Sequence, residues 1–211
     1  MFTAIMTAYE LLCQLGPFVL AMVLLRRRKG KFSCPTTKWH ILALLTFGLY
    51  IYAVFQVTGA GTIYEAFVWK DVTRQNRMRF INLIPFSRDI DIGGYVLNIV
   101  MCVPFGFLVP LIWEDMGRLS RVVPAGFLFS LLIELSQLLC VRGTDVDDLI
   151  MNTLGALVGF TCYVAFDQVT GSRFQLHGED ARELPTYILA MYLGRCFLVN
   201  HLGLIRLWYG Y

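Results

Sequence analysis

Apolar residues gather along this chain into long uninterrupted stretches, each bounded by charge. They do not recur at the short intervals of a half-buried helix or strand. Residues 8–25, 39–57, 95–113, 122–141 and 149–166 form five such stretches, each close to the roughly 20 residues a helix needs to cross a hydrocarbon core about 30 Å thick. The pattern predicts an all-α integral membrane protein of about five transmembrane helices, a single polytopic domain over residues 1–211 with one outer segment of moderate length, 58–94. Composition agrees: 57% of the 211 residues are hydrophobic and 16% charged, against about 45–50% and about 25% in a soluble domain. A water-soluble globule is excluded, and a net charge of +3 lends no support to a nucleic-acid partner.

Charge placement sets an orientation. The first stretch is followed by Arg26, Arg27, Arg28, Lys29 and Lys31, the reverse of a cleaved signal peptide. By the positive-inside rule this cluster is cytoplasmic and the N-terminus outside. Alternating the remaining spans leaves twelve of the eighteen Lys and Arg inside. Five of the other six, Lys70, Arg74, Arg77, Arg79 and Arg88, crowd into the outer segment. There Ile63, Tyr64, Phe67, Val68 and Val72 recur at helical spacing beside Lys70, Arg74 and Arg77. A short amphipathic helix lying in the interface is expected, its basic groups meeting lipid headgroups; a solvated loop is the plainer alternative. Residues 185–211 are apolar but carry Arg195, Asn200, His201 and Arg206, and a mid-span arginine costs roughly 2.5–3.5 kcal/mol. They are expected to be an interfacial or partly inserted segment with a cytoplasmic C-terminus; a sixth span is the alternative.

Candidate chemistry is concentrated in polar residues where they are costly. Ser130, Glu134 and Gln137 share one face of the fourth span. Glu134 is eight residues before Arg142, about 12 Å along a helix. Asn98 and Asn152 lie at similar depth. These groups read as the floor of an outward-facing polar cavity, or as a protonated or paired Glu134 that joins helices. Above them Arg142, Asp145 and Asp148 form a rim, with Asp145, Asp148 and Asn152 on one face of the fifth helix. Capping is the competing explanation: Asp145 as N-cap, with Asp147 and Asp148 in the first turn. Gly155 and Gly159 make a small-residue face for close packing. Pro104 and Pro110 predict a kink or break in the third span. The six cysteines show no disulfide pattern, the three histidines no ligand spacing, and no metal or cofactor is expected.

The blocks Asn82-Leu-Ile-Pro85-Phe86, Asn98-Ile99 with Pro104-Phe-Gly106, Ser130-x-x-x-Glu134-x-x-Gln137, and Arg142-x-x-Asp145-x-x-Asp148-x-x-x-Asn152-Thr153-x-Gly155 resemble the VanZ-like family, in its order and within a core of about residues 82–166. The resemblance implies a multi-pass protein of the bacterial cell membrane that confers tolerance of teicoplanin and related lipid-bearing glycopeptides. The implied ligand is an amphiphile, either such an antibiotic or a lipid-linked cell-wall precursor, bound by Asn98, Glu134, Gln137, Arg142, Asp145, Asp148 and Asn152. The alternative is an intramembrane enzyme acting on a lipid-linked envelope precursor, with Glu134, Asp145 and Asp148 as acid and base or as ligands of a hard cation. No nucleophile with a placed base supports it, so the non-catalytic reading leads.

The orientation is directly testable. Topology reporters fused after Lys31 and after Asp91 should report opposite sides of the membrane, Lys31 inside; an outside signal at Lys31 overturns the scheme.

Overall fold

The computed structural model describes residues 2–29, 38–68, 81–87, 91–140, 142–171, 180–201 and 203. Five helices have the length and apolarity to cross a membrane: α1 (Phe2–Lys29), α2 (Lys38–Thr58), α4 (Ile92–Ile112), α5 (Leu119–Gln137) and α6 (Val146–Thr170). A short helix α3 (Ile63–Val68) and a strand β1 (Ile81–Asn82) precede α4. A second strand, β2 (Thr144–Asp145), leads into α6, and α7 (Leu184–Leu193) with a π turn (Gly194–Leu198) follows. The outer faces carry side chains such as Leu12, Leu128 and Val100, each at least 60% exposed. That is costly in water but neutral against lipid chains, which are as apolar as leucine.

Aromatic rings fill the interior. Phe105 stacks on Phe129 at 4.9 Å, Trp113 meets Phe47 edge-on at 5.2 Å, and Tyr187 lies 5.0 Å from Phe18. These contacts join α1, α2, α4, α5 and α7 around one core.

The tightest pairing is between α4 and α6, which run parallel. A Cβ at Gly159 would stand 2.0 Å from the Val103 carbonyl, one at Gly155 2.2 Å from that of Ile99, and one at Gly106 1.9 Å from that of Ala156. Only hydrogen fits between these backbones, so the small-residue face read at Gly155 and Gly159 is a real contact. It continues outward into the strands, because β1 and β2 pair in parallel with Ile81 opposite Thr144 and Asn82 opposite Asp145.

Of the kink or break expected in the third span, the break is absent: α4 runs unbroken through Pro104 and Pro110. Each proline removes one N–H, and the backbone is held at that level by Gly106 against α6. The segment after residue 184 runs from one end of the bundle toward the other. Its start, beside Glu114–Met116, is at one end of the bundle, whereas Arg195 donates to Ala60 O (2.6 Å) and to Gln56 Oε1 (2.8 Å) at the other. Gly194 rests on Cys13, and His201 pairs with Glu10 near the start of α1. Residues 195–201 therefore lie at the end of the bundle opposite the Arg26–Arg28 end of α1. The buried arginine is tolerated because carbonyl and amide oxygens meet it there. Of the amphipathic segment, α3 is helical; Lys70, Arg74 and Arg77 lie outside the described residues.

The glycine contact is tested by contrast. Gly159→Ala should lower thermal stability in detergent by about 1–3 kcal/mol, the usual cost of overpacking. Gly16→Ala in α1, where an added Cβ meets nothing within 4 Å, should be neutral or stabilising by up to about 1 kcal/mol. Equal effects would refute the close approach.

Candidate functional site

The site is assembled where the two parallel strands feed the two parallel helices. Asn82 in β1 donates from Nδ2 to both carboxylate oxygens of Asp145 in β2, at 3.2 Å each. Its Oδ1 accepts from the Ile84 amide (3.3 Å) and the Ser87 hydroxyl (2.9 Å), which folds Leu83–Phe86 into a tight turn. Phe86 has φ 54°, a conformation costly for a bulky residue. Its amide donates to Asp147 Oδ1 at 2.9 Å, and the Tyr95 hydroxyl donates to Asp147 Oδ2 at 2.6 Å. The carboxylate of Asp147, 3% exposed, thus ties the turn, α4 and α6 together.

Asp145 is the N-cap of α6, accepting from the Asp147 amide at 3.0 Å. Its own amide donates to Glu134 Oε2 (3.0 Å), and the Thr144 hydroxyl donates to the Glu134 carbonyl (3.0 Å). Glu134 is 3% exposed, so the expected polar floor is covered by β2 instead of lying open. Asp148, half-buried, accepts from Asn98 Nδ2 at 2.6 Å. One turn deeper, Asn152 Nδ2 donates to Ser130 Oγ at 2.9 Å. Three aspartates at one helix start are tolerated because that end of α6 carries the positive pole of the helix and its free N–H groups.

Asn98, Glu134, Asp145 and Asp148 therefore come together, with Asn152 just beneath. Gln137 and Arg142 turn elsewhere. Gln137 Nε2 donates to Thr58 O (3.0 Å), and Arg142 Nη1 donates to Val57 O (3.1 Å) and Thr58 O (2.8 Å). Both satisfy the last carbonyls of α2, where four such groups lack helical partners. Arg142, expected to form a rim with Asp145 and Asp148, binds the end of α2. Gly59, at φ +60°, closes α2 so near the guanidinium that an added Cβ would lie 2.7 Å from Arg142 Nε.

Sequence reasoning missed Asp147 and Tyr95 as members of the site. Asp147 falls off the helical face shared by Asp145, Asp148 and Asn152, and no periodicity points to Tyr95. The signal available was Asn82-Leu-Ile-Pro85-Phe86, a polar residue before an apolar turn that needs an anchor.

The exposed surface of this assembly is apolar and acidic at once. Leu83, Ile84 and Phe86 are 73%, 69% and 56% exposed, beside half-buried Asp145 and Asp148. Below them the lipid-facing side of α4 presents Val96, Leu97 and Val100.

Fold and site together define a multi-pass membrane protein with a buried carboxylate and amide network at one end. The chain belongs to the VanZ/LLP1 family, whose model matches residues 47–167, more than half of its length. It is similar to Protein VanZ from Enterococcus faecium, with 30% identity over 86 residues, 40% of this chain and 53% of that protein. The alignment thus spans about half the length of that relative. No solved structure matches the chain. The family match opens inside α2, whose end is gripped by Gln137 and Arg142.

The anchoring role of Asp147 is measurable. Asp147→Ala should destabilise the protein by about 1–3 kcal/mol, the cost of leaving buried donors unmet. A double-mutant cycle with Tyr95→Phe should give a coupling of at least about 0.5 kcal/mol. Strict additivity would mean that the phenol and carboxylate do not interact.

Proposed function

We propose that this VanZ-like protein acts in the bacterial cell membrane by engaging an amphiphile at the outer face, and that it thereby confers tolerance of teicoplanin and related lipid-bearing glycopeptides. The observation that carries this reading is the pinned apolar turn Leu83–Phe86 beside the carboxylates of Asp145 and Asp148. An acyl chain can follow the lipid-facing side of α4 while the polar head meets acceptors at the rim. Carboxylates accept hydrogen bonds and repel anions, so they suit a head rich in hydroxyl, amide or ammonium donors. A lipid-linked cell-wall precursor offers such donors in its sugar and peptide part. Its phosphates would be met by Lys70, Arg74 and Arg77. Because the turn is held by Asn82 and Asp147 before any ligand arrives, binding loses little conformational entropy there.

The reading is tested in a susceptible host that carries the full chain. The parent should raise tolerance of an acylated glycopeptide and leave tolerance of a glycopeptide without an acyl chain unchanged. Phe86→Ser with Leu83→Ser, and separately Asp148→Asn, should lose at least most of that effect at normal membrane abundance. Full activity of all these variants would sink the proposal. Metal-dependent turnover of a polyprenyl pyrophosphate by the purified protein would replace it with the enzymatic reading through Glu134, Asp145 and Asp148.

A further inference from the structure

The opposite end of the bundle holds a cavity that the outer site does not use. Ala21, Leu24 and Leu25 of α1 form its apolar wall, and Arg27, Arg28 and Thr186 its polar one, around about 490 Å³. Chain length creates it. α1 and α7 are antiparallel and close where Gly194 rests on Cys13. Thr186, in the first turn of α7, shares the cavity with Ala21, and α1 runs on eight residues to Lys29, about 12 Å further at 1.5 Å per residue. The overhanging turns of α1 therefore carry two exposed arginines above an apolar notch, with a hydroxyl opposite them.

Among the described residues, the lining includes two cations and no carboxylate. Next to it, Arg26 keeps Nε and Nη2 buried without a hydrogen-bond partner among the described residues. A second cavity at the same end, also about 490 Å³, is lined by Arg118 and Arg121 together with Glu114, Asp115 and Asp167. There opposite charges offset one another, and Arg121 is already bonded to the Asp115 carbonyl. Two cavities of equal size thus differ in the charge of the side chains that line them.

We propose that the α1/α7 cavity is a binding site for an anionic phospholipid of the leaflet on the Arg26–Lys29 side. The phosphodiester is held by Arg27 and Arg28 and hydrogen-bonded by Thr186, and one acyl chain lies on Ala21, Leu24 and Leu25. Charge complementarity selects this occupant. Guanidinium groups pair with phosphate oxygens in a planar fork, basic pockets between transmembrane helices on this side suit anionic headgroups, and the apolar wall excludes a free solute as the preferred ligand. The lipid would brace α7 against α1, the contact through which Arg195 reaches Ala60.

The test uses the full chain, purified in uncharged detergent and titrated by native mass spectrometry. The probes are phosphatidylglycerol, phosphatidylcholine of the same chains, and glycerol phosphate. Phosphatidylglycerol should be retained in preference to the other two. Arg27→Gln with Arg28→Gln should weaken it by on the order of 30-fold, as two cations at an anionic surface contribute. Arg27→Lys with Arg28→Lys keeps the charge that orients the helix and should lose only part of the affinity. Ala21→Trp, which fills the notch without changing charge, should abolish retention, and Arg118→Gln with Arg121→Gln should leave it unchanged. Equal retention of the two lipids, an unchanged double Gln variant, or equal loss from the Arg118 and Arg121 pair would overturn the proposal. Glycerol phosphate binding as tightly as the lipid would overturn the lipid assignment and leave a free-phosphate site.

Discussion

Everything at the end of the bundle that holds β1 and β2 depends on the distance between α4 and α6. In a bilayer, apolar side chains gain nothing by leaving lipid for protein, so association rests on close packing and on polar contacts. Gly106, Gly155 and Gly159 let the two backbones touch. From Ile99 and Gly155 toward the strands, the same register sets the Asn98 amide on Asp148 and the Tyr95 hydroxyl on Asp147. A side chain inserted at Gly155 would push these pairs apart by more than a hydrogen bond can stretch. The glycines and the carboxylates are therefore one device, in which packing supplies the position and the polar pairs lock it.

The second constraint is the turn after α2. Residues 57–60 present carbonyls to both sides: Val57 and Thr58 to Arg142, Thr58 also to Gln137, and Ala60 to Arg195. Ala60 itself closes the helix by donating to the Phe55 carbonyl at 3.1 Å. This turn lies between the α5/α6 end of the site and the segment that follows α7. The later segment and the Arg142 and Gln137 side chains thus meet on one short stretch of backbone.

Much of this was legible in the sequence because lipid penalises departures so heavily. Span length, the Ser130-Glu134-Gln137 stripe and the Gly155/Gly159 face are all written in periodicity, and each is a feature of the structure. Partners were less legible than positions. Arg142 stands three residues from Asp145 and reads as part of one rim with it, but its guanidinium bonds the carbonyls that end α2, more than eighty residues upstream. Asp147 and Asp148 are adjacent in sequence and read alike, as acidic residues in the first turn after the Asp145 cap. Their roles differ because consecutive helical residues point about 100° apart: Asp147 turns inward to Phe86 and Tyr95, while Asp148 faces Asn98. Arg195 reads as a charge too costly to insert. The carbonyl and amide that satisfy it belong to α2, and no local pattern announces them.

The buried carboxylate of Asp147 explains why an exposed apolar turn can exist here at all. Leu83, Ile84 and Phe86 have little burial to hold them, and Phe86 adopts a backbone conformation that costs it energy. Left alone, such a turn would collapse onto the lipid face of α4 in many arrangements. The bond from the Phe86 amide to a charged acceptor in a dry environment is among the stronger hydrogen bonds available, and Asn82 holds the other end of the turn through Asp145. Two aspartates thus maintain an arrangement that hydrophobic burial does not favour. Strain of this kind persists where the surroundings over-determine it, and here they do so with groups that are themselves expensive to bury. Stability alone would be served better by a shorter, polar connection between α3 and α4. The proposed binding role rests on this turn, held still beside the half-buried carboxylates of Asp145 and Asp148.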